Sequence, residues 1–472
     1  MSLRKPCSGR KNLLLRSLFP GPQVDRTMRR RRTLFESLES RCLLATFTPT
    51  TTSDFPIPMR SDVNPATGAI TAGPNIGAIT LRSAVIASNM SAGADTINLP
   101  AGVYTLTQGI ADDDASDAAV EITGDLDVLS LATGLGFDDN DLTITGVSAA
   151  TTVIQAGATA LTGIDRIFDI DPPFGGGSLS FTVQNVTLQH GRATAPSGAG
   201  GDGGAIRFLG SEFVPVFTPG VLTITNSVLS NNTAAAGPGG AINSSFATMV
   251  FNGVQFQNNT ASAGAGGAVL FDGGTFGSIT VNNSQFQTNS ATDGTFGSGG
   301  ALFITGATSA QLGNTVSNTF TSNSAKVDGG AARIQATATT SITGGQFTGN
   351  SAGGNGGGIS SDPSDSSVTG AVTITGVTFG LNQADSDASS AGDGGAVFHD
   401  RGTLNLGNVT IGGGAGANTA WNGGGLAHRF VGLGTANDSS ITVTGGSVIG
   451  NTAANDGGAS ITTEPTATPR AR

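Results

Sequence analysis

Residues 239–271, GGAINSSFATMVFNGVQFQNNTASAGAGGAVLF, contain one whole unit of a repeat and the opening of the next. A glycine pair starts the unit, an apolar strand follows, a second strand alternates apolar and polar residues, and Phe256 with Asn259 forms an F-x-x-N element before GGAV returns. Alternation with a period of two marks strands, and paired glycines mark corners too sharp for side chains. Glycine pairs followed by Ala or Gly recur nine times, at Gly203, Gly239, Gly266, Gly299, Gly329, Gly356, Gly394, Gly423 and Gly457; 254 residues over eight intervals give about 32 per repeat.

Three short strands in each thirty-odd residues make one rung of a right-handed parallel β-helix, an all-β solenoid. The spacing predicts about 12 rungs in all, with a short N-terminal capping helix. Rungs stacked in register at about 4.8 Å put like residues above one another. Phe256, Phe286, Phe320, Phe347 and Phe379 then form an interior aromatic column, and Asn259, Asn289, Asn323, Asn350 and Asn382 form an amide ladder at a bend where Asn tolerates left-handed backbone. Before the glycine pairs, Asn355, Asp393, Asn422 and Asp456 alternate, with Asp202 and Asp328 in earlier copies, so that each carboxylate can accept from a neighbouring amide.

Composition agrees with short strands and glycine turns. Of 472 residues, 73 are Gly, 12% are charged, and the aromatics are 24 Phe with Tyr104 and Trp421 alone of their types. Residues 1–42 carry eleven Lys/Arg and three Asp/Glu, a net of +8, which leaves −19 of the total −11 on the rest. So acidic a body, with Lys326 as its one lysine, offers no basic groove for nucleic acid. Both cysteines, Cys7 and Cys42, lie in the basic leader, which leaves the body without thiol chemistry. No apolar run is long enough to span a bilayer.

The leader, residues 1–45, ends RTMRRRRTLFESLESRCLLA and lacks the unbroken apolar stretch of an ordinary signal peptide. Through Leu38, Glu39, Arg41, Leu43, Leu44 and Ala45 it resembles the LExRxLLA leader of planctomycete surface proteins, which implies export to the cell surface or outside the cell. Residues 46–79 have no periodicity and read as a linker. Residues 80–107, TLRSAVIASNMSAGADTINLPAGVYTLT, resemble the start of the CSLREA surface repeat proteins most closely from Asp95 to Thr107; Thr80, Ser83 and Val85 depart from that pattern. Leu81, Val85 and Ile86 give a helical stripe suited to covering the open end of a stack, and the first rungs then fill residues 80–200.

The repeat body, residues 201–460, resembles the polymorphic outer-membrane protein repeats of bacterial adhesins and autotransporter passengers, through GGA[ILV] and F-x-x-N. That resemblance implies a non-catalytic structural or adhesive protein whose partners are cell-surface or matrix glycans or proteins. Residues 461–472 read as a disordered tail, and with neither cap nor anchor after Gly458 the chain reads as a truncated product. The competing reading is a polysaccharide lyase or hydrolase, which needs convergent carboxylates or a cation with a basic residue, and aromatic platforms that Tyr104 and Trp421 scarcely supply. No catalytic residue is assigned and no cofactor is required. Asp112, Asp113, Asp114, Asp138, Asp139 and Asp141 offer oxygen ligands for Ca²⁺ or, more simply, solvated loops. Aligning GGAVFHD with GGGLAHR stacks His399 on His428 and Asp400 on Arg429, a set that binds a metal, moves a proton, or forms a solvated surface ladder.

Overall fold

A computed structural model describes residues 44–463 apart from 92, 109–122, 130–131, 134–135, 138–140, 171–178, 195–200, 211–219, 275, 315, 364–369 and 431–439. Within them the chain is a parallel β-helix. The rung quoted above folds as Ile242–Ser245, Ala247–Asn252, Gln255–Gln257 and Thr260–Ala261. Each segment pairs in parallel with its counterpart one repeat on: Ile242 with Val269, Met249 with Ile279, Phe256 with Phe286, and Ala261 with Ala291. A rung therefore has four segments rather than three. The second and third belong to one long bent sheet, the two-residue fourth forms a minor sheet, and the first belongs to a sheet of 11 strands, here called the second sheet.

The interior is one continuous apolar cluster from Phe47 to Leu426. Phe256, Phe286, Phe320, Phe347 and Phe379 stack with centroids 4.7, 4.7, 4.5 and 5.1 Å apart, a spacing imposed by the strand ladder. The ladder Asn residues are wholly buried, and each gives both its backbone N–H and its Nδ2 to the Oδ1 of the next, as Asn259 does to Asn289 at 3.1 and 3.0 Å. The same chain of bonds includes Asn232, Asn418 and Asn451. Left-handed backbone falls one residue earlier than expected, on Asn231, Asn258, Thr288, Ser322 and Leu381. The ladder Asn is selected for its side-chain amide, and its predecessor turns the corner.

At the N-terminal end a helix, α1 (Leu81–Met90), lies against the first strands of both large sheets. Thr80 and Ser83, which break the CSLREA pattern, form its capping box: Ser83 N–H donates to Thr80 Oγ1 and Thr80 N–H to Ser83 Oγ. Residues 46–79 are not a linker. Thr46 and Phe47 pair in parallel with Thr96 and Ile97, and Phe47, Ile57, Val63 and Ile70 are buried in the main core. Asp54 in this segment binds the buried guanidinium of Arg82 on α1. The segment packs on the first rung through contacts made once, so nothing in it repeats. At the other end the last strand is Ala459–Thr463, past the expected boundary at 460. None of the helices among the described residues is long and apolar enough to cross a membrane.

Candidate functional site

The chemistry of this body gathers on the outer face of the second sheet. Along its strands, alternate residues point inward and outward, and the register runs one outward column through Asp127, Asp169, Arg207, Asn243, Leu270, Phe303, Arg333, Ser360 and Phe398. The column changes character twice along the axis.

At its N-terminal end it is ionic and buried. The carboxylates of Asp125, Asp127 and Asp169 have oxygens within 4.8 Å of one another. Arg207 grips Asp169 through Nε and Nη2 at 2.9 and 2.5 Å, and Arg166 reaches Asp125 at 3.2 Å and Asp169 at 3.3 Å. Burial, then the charges of Asp127 and Asp165, push the Asp125 carboxyl well above the usual carboxylate range, against the pull of Arg166. Three such carboxylates are a chemically sound cation set, yet two are already held by guanidinium groups; the cluster ties the rungs of residues 125–127, 168–170 and 206–209 together. Sequence reading passed over it. The signal was there, in that DLDV and RIFDI place acidic residues at outward positions of consecutive rungs.

The middle of the column is an apolar groove of about 440 Å³. Leu270 and Phe303, on adjacent strands, line it with Phe296, which is 67% exposed. The loop carrying Phe296 is pinned, because Thr295 and Phe296 both donate backbone N–H to Asp293 Oδ1 at 2.7 Å, and these bonds hold the Asp293 carboxyl below its ordinary value. Asp328, Arg333 and Gln335 close the far end. Arg333 lies between Asp328 at 3.7 Å and Asp362 at 3.8 Å and donates to Ser360 Oγ.

Beyond the groove the face becomes an alternating charge row. Asp362 accepts twice from Arg401, and Asp400 pairs with Arg429 at 2.5 Å, whose guanidinium sits 5.5 Å from the Phe398 ring centroid. The expected stacks of His399 on His428 and Asp400 beside Arg429 are both present, the rings 5.6 Å apart and 11° from parallel. The histidines, however, are not a solvated surface ladder. They occupy the inward column that holds Phe271, Ile304 and Ile334 in earlier rungs, and are 0% and 3% exposed. His399 Nδ1 meets Ser361 Oγ at 2.8 Å and its Nε2 meets the Gly402 carbonyl at 3.2 Å. Desolvation, and then the facing His428 ring, push His399 down to about 4; His428 is lowered by desolvation, with Asp400 opposing.

Asp141 accepts the backbone N–H of Ser180 at 2.8 Å, and burial raises its carboxyl above the ordinary value. Asp112, Asp113, Asp114, Asp138 and Asp139 lie outside the described residues. Of the residues before the glycine pairs, Asn422 donates from Nδ2 to Asp393, and Asn355 Oδ1 accepts the Asp393 N–H, which is corner chemistry.

No protein-family model matches the sequence, and no curated protein matches it either. Among solved structures, the chain is similar to the A-module of the mannuronan C-5 epimerase AlgE6 of Azotobacter vinelandii, with 15% identity, a TM-score of 0.35, and coverage of 81% of this chain and 96% of that module.

Proposed function

We propose that this chain is an exported cell-surface or secreted protein whose β-helix serves as a rigid spacer or adhesive element rather than as an enzyme. The observation that carries the reading is the continuous register of the second sheet. The second sheet alone places 11 strands side by side, and at about 4.8 Å per step this is a rod of roughly 50 Å built on a core that repeats while its outer residues change. A repeating interior with a varied exterior is the economy of a solenoid that presents contact area along its length. The basic leader and its LExRxLLA-like end favour export.

Surface labelling and fractionation of cells that produce the chain test the reading. The body is expected in the surface or medium fraction, and cells lacking it are expected to attach less well. An intact N-terminus in the cytoplasm would overturn export. Release of unsaturated or reducing sugars from pectin, alginate or a sulfated glycan by the purified chain would replace the structural reading with a catalytic one.

A further inference from the structure

We infer that the groove between Phe296 and Arg333 binds a segment of uncharged polysaccharide, lying along the solenoid axis with one sugar ring anchored on the phenylalanines. This rests on the adhesive reading above and names the partner it would hold.

Three features select that ligand. The strands that floor the groove, Val269–Asp272, Leu302–Thr305 and Ala332–Gln335, have their backbone groups engaged in the parallel ladder, so a peptide strand has no free sheet edge to pair with here. An exposed Phe296 on a loop already fixed by Asp293 is a preorganised apolar face, and ordering it on binding loses little conformational entropy. The polar end is balanced. Asp328, Arg333, Asp362 and Arg401 alternate in sign and sum to zero, so the groove has no local net charge to select an ion, while offering side-by-side donors and acceptors that suit adjacent hydroxyls. The volume, about 440 Å³, is that of a small-ligand site, and successive rungs continue the polar row along the axis.

The test is calorimetric titration of the whole chain with cellohexaose, mannohexaose, xylohexaose and chitohexaose. Uronate hexamers and a phenylalanine-containing peptide form the other two arms. At least one neutral hexamer is expected to bind, with affinity about tenfold weaker in Phe296→Ala at unchanged Tm, and about tenfold weaker in Arg333→Gln, whose ion pairs are lost, at a temperature where that variant is still folded. The first is an exposed side chain, and the second removes the guanidinium charge while leaving a shorter amide that still donates and accepts. The inference is overturned by the absence of neutral-hexamer binding at millimolar concentration, by affinity untouched by both variants, or by preferential binding of the uronates or the peptide. Cell attachment measured in parallel separates the two readings. Attachment by the unaltered chain without any neutral-hexamer binding removes the groove and leaves the surface role, whereas a cytoplasmic chain that still binds the hexamer removes the role and leaves the groove.

Discussion

At the scale of single residues, the two glycines of each pair have different reasons to be there. The first, as Gly266 at φ +71°, takes a backbone conformation that L side chains resist. The second does not, but a Cβ on Gly267 would land on the carbonyl oxygen of Gly300 in the next rung and on the backbone of Ser290. Close approach of rungs therefore selects the second glycine. Gly267→Ala is expected to destabilise the body by more than about 2 kcal/mol, because backbone rather than a movable side chain must yield. Gly294→Ala meets nothing within 4 Å and is expected to be near neutral. Urea midpoints of the two variants decide the matter, and equal midpoints would refute the close-approach argument. Asn follows similar logic: removing one ladder amide strands the two donors of its buried neighbour, each a penalty of about 1–3 kcal/mol.

At the scale of the element, the aromatic column is the clearest case of a contact fixed by the backbone. Free phenyl rings prefer edge-to-face or offset arrangements, and Phe251 meets Phe256 edge-on at 5.2 Å and 63°. Within the column the strand spacing forces near-parallel rings, 3° apart between Phe286 and Phe320. Phe320→Ala would open a void with rings above and below that the ladder holds apart, so collapse is denied. A loss of about 3–5 kcal/mol is expected, against under about 2 for Phe320→Leu, measured by thermal or denaturant unfolding. If the two substitutions proved equally mild, the column would be ornament on a stack held by hydrogen bonds alone.

At the scale of the molecule, the His399–His428 stack makes stability depend on pH at one end. A histidine whose folded pKa lies near 4 and whose unfolded value is about 6.5 binds fewer protons folded than unfolded between those values. Its contribution is intact above pH 6.5 and is lost progressively as pH falls towards 4, by roughly 3 kcal/mol in total. Because rungs contact only their neighbours, that loss is local. Hydrogen exchange at pH 7 and 5 is expected to show the strands Val397–His399 and Leu426–Phe430 losing protection before Val269–Asp272, and His399→Leu is expected to reduce the difference. Uniform loss along the axis, or an unaltered profile in the variant, would contradict the assignment.

The order of the repeats, the phenylalanine column and the asparagine ladder were legible in the sequence, because stacking converts a constant spacing along the chain into contact in space. The inward place of His399 was also written there, at the offset of Phe271 and Ile304, though alternation alone does not say which parity faces the core. What only the tertiary structure decided is whatever occurs once. Residues 46–79 pack on the first rung without repeating, Asp125, Arg166, Asp169 and Arg207 meet from three successive rungs, and the groove needs three strands and the loop of Phe296 together. Periodicity reports what recurs from rung to rung; a contact made once, such as that of Arg207 with Asp169, 38 positions away, leaves no period behind and exists only when the rungs are laid on one another.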